Sequence, residues 1–319
     1  MSALEGRSAA GRPSHTVRAG LGLALLAAII SGVAIWLNGY AVKQVTDPAI
    51  YTTLKNAVAA ALLIGAIGAT GGTATARRLE RGDWGRLLVI GFVGGAVAFL
   101  LFFTGLAQAT APGAAFIQKT LFVWVGLLAV LFLGERLGWA QVMAMAVLVG
   151  GLILLAPPKL DGAGWGSGET MIALATLLWA VEILLVKKVL VRVPSGIVAA
   201  ARLGFGVCFL VGYLIITGSV SGLAAVSAAG WFWVVLTGVI LAAYVATWFA
   251  ALERAPAGVV TSILVVGAVI TTGLQAISNG SLPQAPAVAG GVALAAATGL
   301  LAVAAMRHAS VSPEPALER

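Results

Sequence analysis

The chain has 319 residues, of which 61% are hydrophobic and only 9% are charged, and its mean hydropathy is +1.05. Soluble domains of this size do not have such a composition, and long uncharged apolar runs indicate membrane-spanning helices. The single cysteine, Cys208, excludes an intrachain disulfide, and the two histidines lie in polar terminal segments, which argues against a histidine-based metal site or catalytic triad.

Ten apolar segments follow one another along the chain, and each is close to the 17–25 residues that a helix needs to cross the hydrocarbon. They are residues 19–39, 49–69, 87–107, 112–132, 139–156, 168–188, 197–217, 230–250, 256–277 and 286–306. The loops between them are too short for a soluble domain. The sequence therefore predicts one all-α integral membrane domain between two polar tails, residues 1–18 and 307–319, with five helices in 19–156 and five in 168–306.

The basic residues predict the orientation of the chain in the membrane. Of the 19 lysines and arginines, 14 are predicted on the same side of the membrane as the N-terminus, and only Lys43 and Lys159 lie in loops on the opposite side. The other three lie within the spans. The positive-inside rule then places both termini in the cytoplasm. The net charge of +8 is explained by topology, so the sequence predicts a lipid bilayer and no nucleic acid as partner.

A long-range repeat divides the chain into two halves. The segment 105–137 returns in weaker form at 252–283, 146 positions later, with Leu106 matching Leu252 and Gly134 matching Gly280. Because each half has five spans, an odd number, the second half enters the membrane from the opposite side. This predicts two inverted five-helix repeats around a central cavity, an arrangement that often holds a substrate site between its halves.

Two cations within the predicted spans have corresponding positions in the two halves. Lys55 follows Pro48 by seven residues in span 2, and Arg202 follows Pro194 by eight residues in span 7. Inversion would put them in opposite halves of the membrane. Two interpretations remain open: they gate opposite mouths of the cavity, or they are scaffold cations that reach toward the membrane surface or cap neighbouring helix ends.

These features resemble the drug/metabolite transporter superfamily, EamA type. The resemblance lies in the ten spans, the cations of spans 2 and 7, Gly134-Glu135 after span 4 and Trp179-Ala180 in span 6, although lysine replaces the more usual arginine at position 55. Over about residues 19–306, the resemblance implies a transporter of small metabolites, often an amino-acid exporter of the bacterial inner membrane.

Two charged residues inside the spans are the main candidates for substrate contact. Lys119 lies seven residues into span 4, where a cation should face a cavity or a partner. It would contact a substrate carboxylate, form a gate ion pair, or reach toward the membrane surface. Glu182 in span 6 is the one carboxylate well inside a predicted span. It would contact a substrate amine, carry a proton, or belong to a structural ion pair with another helix.

Aromatic and amide side chains complete the predicted site. Trp36 with Tyr40 and Tyr244 with Trp248 are i,i+4 pairs, so each pair presents one aromatic helix face. Interface anchoring explains such residues as well as cavity lining does. The remaining candidates are Phe102 and Trp179 for the cavity, Gln118 for a polar substrate contact, and Asn56 for gating or scaffold packing.

The sequence contains no catalytic constellation and no nucleotide-binding motif, so it predicts neither an enzyme nor a bound cofactor, and any driving force would be a solute or ion gradient. The favoured hypothesis is export of neutral or aromatic amino acids by alternating access. Two alternatives stay open: transport of a nucleotide sugar, lipid or cationic drug, and a non-transport role as scaffold or channel subunit. The sequence leaves the oligomeric state undefined and is compatible with a monomer.

Overall fold

The computed structural model describes residues 12–133, 139–155 and 165–311, and this part of the chain consists of helices joined by short turns, with no strand. The helices are α1 Arg12–Ala41, α2 Pro48–Ala69, α3 Gly72–Arg77, α4 Arg81–Ile90, α5 Ala98–Gln108, α6 Ala111–Lys119, α7 Leu121–Leu133, α8 Trp139–Leu155, α9 Ser167–Val189, α10 Ser195–Ile216, α11 Ala228–Arg254, α12 Ala257–Ile263, α13 Val266–Ser278 and α14 Ala285–Val311.

Nine continuous helical segments among the described residues are long and apolar enough to cross a membrane. They correspond to every predicted span except the fifth, whose helix α8 has 17 residues and is apolar but shorter. Helix α1 begins at Arg12 and helix α14 continues to Val311, so helical structure extends from the first and last spans into both predicted tails. The outer tails 1–11 and 312–319, and the loops 134–138 and 156–164 with Gly134, Glu135 and Lys159, lie outside the described residues.

The fourth and ninth spans are each broken into two helices near their middle. The first break lies at Thr120, whose hydroxyl donates to the Ile117 carbonyl at 2.7 Å and whose N–H also turns back to Ile117. The second break lies between α12 and α13, where Val265 N–H donates to the Ser262 carbonyl at 3.2 Å. Hydroxyl side chains that bond to the backbone favour such tightened turns. The breaks therefore occur at corresponding places in the two halves.

The third span contains a different irregularity, a π-helical turn over residues 91–97 that joins α4 to α5. Two side chains from neighbouring helices bind carbonyls of this turn: Trp179 Nε1 donates to Gly94 O at 3.2 Å, and Asn56 Nδ2 donates to Gly95 O at 3.3 Å. Turns of this kind are frequent at functional sites. Its glycines also let α9 and α10 approach the third span closely.

The helices of the two halves pack in a pattern that is unchanged when the halves are exchanged. Span 1 packs on span 8 as span 6 packs on span 3, and spans 2, 4 and 5 pack on their counterparts 7, 9 and 10. Individual residues follow the same rule. Gly20 of α1 lies against Arg254 and Ala255, while Gly168 of α9 lies against Gln108 and Ala109, 146 positions earlier. The fold is thus a two-repeat structure, and the helices of the two repeats pack against each other around a common centre.

Candidate functional site

A cavity of about 70 Å³ lies at the centre, between the two repeats. Its wall combines aromatic and aliphatic side chains with a few buried polar and charged groups, a composition common in small-molecule sites. The lining residues are Ser31, Ala34, Ile35, Asn38, Lys55, Phe99, Phe102, Phe103, Gln118, Leu121, Trp179, Glu182, Ile183, Arg202, Thr237, Leu241, Tyr244, Val245 and Trp248.

One side of the cavity is formed by an ion pair between Glu182 of α9 and Arg202 of α10. Arg202 Nε donates to Glu182 Oε1, and Arg202 Nη2 donates to Glu182 Oε2 at 3.0 Å. Both residues are almost fully buried. This is the bidentate geometry that guanidinium and carboxylate groups favour. Glu182 therefore has a partner from another helix, as one interpretation of the sequence required.

The pair forms because the hairpin between α9 and α10 brings both residues to the same depth. Glu182 lies seven residues before the end of α9 at Val189, and Arg202 lies seven residues after the start of α10 at Ser195. At 1.5 Å per residue each group is about 10 Å from the hairpin. Counting residues from the α9–α10 loop back to Glu182 and forward to Arg202 would have revealed this pairing in the sequence.

Lys55 of α2 is a second cation on the cavity wall, and among the described residues it has no carboxylate partner. Its Nζ lies 3.1 Å from the ring centroid of Phe103 and 5.4 Å from those of Tyr51 and Phe99, and the residue is 1% exposed. Among the described residues, no hydrogen-bond acceptor or acidic group pairs with its ammonium group. Cation–π contacts with these three rings therefore stabilise the ammonium group.

The cation–aromatic contacts of the two repeats correspond to each other. The Arg202 guanidinium lies 5.7 Å from the ring of Phe249, which is 146 positions after Phe103, the closest ring to Lys55. Both cations also approach the ring of Phe99, Arg202 at 4.8 Å and Lys55 at 5.4 Å. The two cations predicted as gate or scaffold groups therefore line one cavity around a shared ring.

Lys119 lies directly behind the cavity wall. Its Nζ donates to Ser31 Oγ at 2.7 Å and to Gln118 Oε1 at 2.6 Å, and both acceptors line the cavity. The residue is 1% exposed, and its side chain packs against Gly267 of α13. Protein groups thus occupy at least two of its donors, and its charge acts on the cavity through Ser31 and Gln118.

The aromatic candidates divide into two groups. Phe102, Trp179, Tyr244 and Trp248 line the cavity, where Phe102 and Trp179 are 5.3 Å apart and Tyr244 stacks on Trp248 at 6.1 Å. The structure places the other pair outside the cavity wall. Trp36 Nε1 donates to Ser278 Oγ at 3.2 Å, and Tyr40 Oη accepts from Gln275 Nε2 at 3.3 Å, so both are engaged with α13.

A second, polar face of the cavity was only partly visible in the sequence. Tyr51 Oη donates to Asn38 Oδ1 at 2.5 Å and lies 2.9 Å from Thr237 Oγ1. Thr237 was not among the candidates, although it shares a helical face with Leu241, Tyr244 and Trp248, and that periodicity would have found it. Asn56, a predicted gate or scaffold residue, lies outside the lining and bonds to the π-helical turn. Its Oδ1 is buried and has no hydrogen-bond partner among the residues that the structure describes.

The described residues hold no cluster of histidine, cysteine, aspartate and glutamate that would bind a metal ion. The balance of charge around the cavity is positive. Three cations, Lys55, Lys119 and Arg202, surround it with a single carboxylate, Glu182. The sequence had identified Lys119 alone as a cation well placed for an anionic substrate, because it could not show that spans 2 and 7 bring their cations to the same cavity.

Comparison with known proteins agrees with this architecture. The model of the EamA-like transporter family matches residues 18–156 and again 166–303. A solved structure described as "Crystal structure of protein" has the same fold, with a TM-score of 0.69 and 18% sequence identity over 89% of this chain and 98% of that chain. Among curated proteins there is no significant match. The chain belongs to the EamA-like transporter family and is a multi-pass membrane protein.

Proposed function

We propose that this EamA-like transporter is a secondary carrier that exports small organic metabolites, neutral or aromatic amino acids first, across the bacterial inner membrane by alternating access. The observation that carries the proposal is the central cavity, which combines buried charges with an aromatic wall and lies between two repeats. Binding near the repeat interface is the arrangement through which such carriers expose a site to each side in turn.

The proposal includes ten membrane crossings in two inverted five-helix repeats, with both termini in the cytoplasm. The paired packing of spans 5 and 10 supports counting α8 as a crossing helix, because α14, its partner, is long enough to span. The distribution of basic residues supports the orientation. A chain with ten crossings and an odd number in each half is necessarily inverted.

The cavity has the two kinds of group that an apolar amino acid needs. Its aromatic side chains, including Phe102, Trp179 and Trp248, match an apolar side chain. Its cations match a carboxylate. A substrate amine has a less suitable acceptor in this structure, because both carboxylate oxygens of Glu182 already accept hydrogen bonds from Arg202. An amine would have to displace the guanidinium or bind the hydroxyl and amide groups of the polar face.

The rival functions fit the geometry less well. A cationic drug would meet two cations in the cavity wall, a third behind it, and one carboxylate that is already paired, an unfavourable balance of charge. A nucleotide sugar would gain from the cations but is polar along most of its length, whereas much of the cavity wall is aromatic or aliphatic. A scaffold has no need of charges at the cavity wall, since buried charges are costly in a membrane.

The test is counterflow in proteoliposomes loaded with unlabelled amino acids. We expect uptake of labelled phenylalanine or leucine by the wild-type protein. Trp248→Ala removes a cavity-lining ring and should abolish uptake, whereas Trp231→Ala, an exposed ring at the start of the same helix, should not. Folded wild-type protein that transports no member of the amino-acid panel would refute the substrate proposal.

A further inference from the structure

We propose that Lys55 selects the substrate by binding a carboxylate, so that the carrier takes organic monoanions with an apolar or aromatic body whether or not they carry an amine. This inference rests on the proposed transport function and names its substrate class. Its starting observation is that Lys55 is a buried cation on the cavity wall.

The first argument is the missing counter-charge. The ammonium group lies against the rings of Phe103, Tyr51 and Phe99, and the described residues provide it with no hydrogen-bond acceptor. Aromatic faces stabilise a cation but leave its N–H donors unused. A buried charge without hydrogen bonds is costly, and an anion in the cavity would supply both the charge and the acceptors.

The second argument comes from the repeat. In the second half the equivalent cation, Arg202, has its carboxylate in Glu182, seven residues before the end of α9. The corresponding position in the first half is Ala34, seven residues before the end of α1 and 148 positions before Glu182. The same offset of 148 relates Gly20 to Gly168, which make corresponding contacts. Ala34 also lines the cavity, so the first repeat has the cation without its carboxylate.

The third argument is local geometry between α1 and α2. One helical turn beyond Ala34 lies Asn38, and one turn before Lys55 lies Tyr51; these two side chains are hydrogen-bonded at 2.5 Å. Ala34 and Lys55 are therefore each one turn, about 6 Å along their helices, from a contact that fixes the two helices together. A small side chain at position 34 leaves the space beside Lys55 to a ligand.

These observations favour a carboxylate over an amine as the recognised group. The anion would lie between Lys55 and the small side chain of Ala34, with its apolar body against Phe102, Trp179 and Trp248. The amine of an amino acid has no equivalent acceptor, because Glu182 is held by Arg202. Amine-free carboxylates should therefore bind about as well as the matching amino acid.

The test uses three ligands that share one aromatic body: 3-phenylpropionate, its neutral amide 3-phenylpropionamide, and phenethylamine. Binding to the purified full-length protein in detergent is measured by competition with labelled phenylalanine and by direct equilibrium dialysis of labelled 3-phenylpropionate. We expect 3-phenylpropionate to bind at least about tenfold more tightly than the amide or the amine, because charge-assisted hydrogen bonds are the stronger class.

Two variants locate this preference. Lys55→Gln should remove the advantage of the carboxylate over the amide, and Lys55→Arg should keep it. Ala34→Glu would give Lys55 the counter-charge that Arg202 has, and should weaken 3-phenylpropionate by at least about tenfold, while Ala34→Gln, of nearly equal size, should weaken it less. Loss of the preference, rather than loss of all binding, distinguishes recognition by Lys55 from a structural role.

Equal binding of the amide and the carboxylate, tighter binding of phenethylamine, or no binding of 3-phenylpropionate by folded protein would each overturn the inference. So would a carboxylate preference that persists in Lys55→Gln. Carboxylate binding that depends on Lys55 in a protein with no counterflow would support this site and refute the transport proposal. Counterflow of amino acids without a carboxylate preference would do the reverse.

Discussion

The carboxylate of Glu182 occupies the space where a side chain on Gly94 would begin. A β-carbon built on Gly94 overlaps the Glu182 carboxylate carbon and both oxygens, so the ion pair with Arg202 fits only against a glycine. Gly94 lies in the π-helical turn of the third span, and its carbonyl accepts from Trp179. The irregular turn, the glycine and the ion pair thus form one unit on the cavity wall.

Gly94→Ala should therefore destabilise the protein by about 1–3 kcal/mol, the usual cost of overpacking a filled site. Thermal unfolding of the purified protein in detergent would show a lower midpoint. Gly212→Ala is a suitable control, since a β-carbon there meets no other atom within 4 Å. Equal midpoints for the two variants would mean that the ion pair moves aside without cost.

Removing one partner of the buried ion pair should cost more than removing both. Glu182→Gln leaves the Arg202 guanidinium buried without its counter-charge, which typically costs about 3–5 kcal/mol. The double variant Glu182→Gln with Arg202→Met should recover much of that loss. Chemical unfolding of the four proteins in a double-mutant cycle measures the coupling, and additive losses would contradict a tightly coupled pair.

Lys119 and Lys55 should differ in what their loss does to transport. Lys119→Met removes hydrogen bonds to Ser31 and Gln118 but no side chain that itself lines the cavity, so we expect KM for phenylalanine counterflow to change by roughly tenfold or less. Lys55→Met should raise it further, because it removes a group that faces the cavity. The opposite order would assign the carboxylate contact to Lys119, as the sequence first suggested.

The proposed orientation is testable with single cysteines, because Cys208 is the only native one and Cys208→Ser provides a cysteine-free background. In that background, Thr46→Cys lies in the short connection between α1 and α2, and Arg78→Cys lies after α3. A membrane-impermeant maleimide applied to intact cells from which the outer membrane has been removed should label position 46. Position 78 should react only after lysis, and the reverse pattern would invert the topology.

The sequence predicted the fold well because membrane helices are encoded in continuous apolar runs, whereas the site depends on contacts across the chain. The runs predicted the helices and the 146-residue shift predicted two repeats. Hydropathy could not show the breaks at Thr120 and beside Val265, since hydroxyl groups bonding to their own backbone leave a segment apolar. It also could not show that Trp36 and Tyr40 point to α13, since an aromatic helix face looks the same toward a cavity or a neighbouring helix.

The pairing of charges was hidden for a different reason. Opposite charges on neighbouring helices meet only where the loop brings them to the same depth, so Glu182 could be matched to Arg202 only by counting from the hairpin. Within the described part of the chain Lys55 has no carboxylate at the same depth, and nothing in its own helix distinguishes it from Arg202. Its importance emerges from the comparison of the two halves, with Ala34 at the position of Glu182.

That difference between the halves also bears on which state of the carrier is more stable. If the two repeats were identical in sequence, exchanging their conformations would convert the inward-facing form into the outward-facing form at no change in free energy. An ion pair present in only one repeat removes this degeneracy. Under the proposed alternating access, the resting protein would then favour one side of the membrane, and the Glu182–Arg202 pair would contribute to that bias.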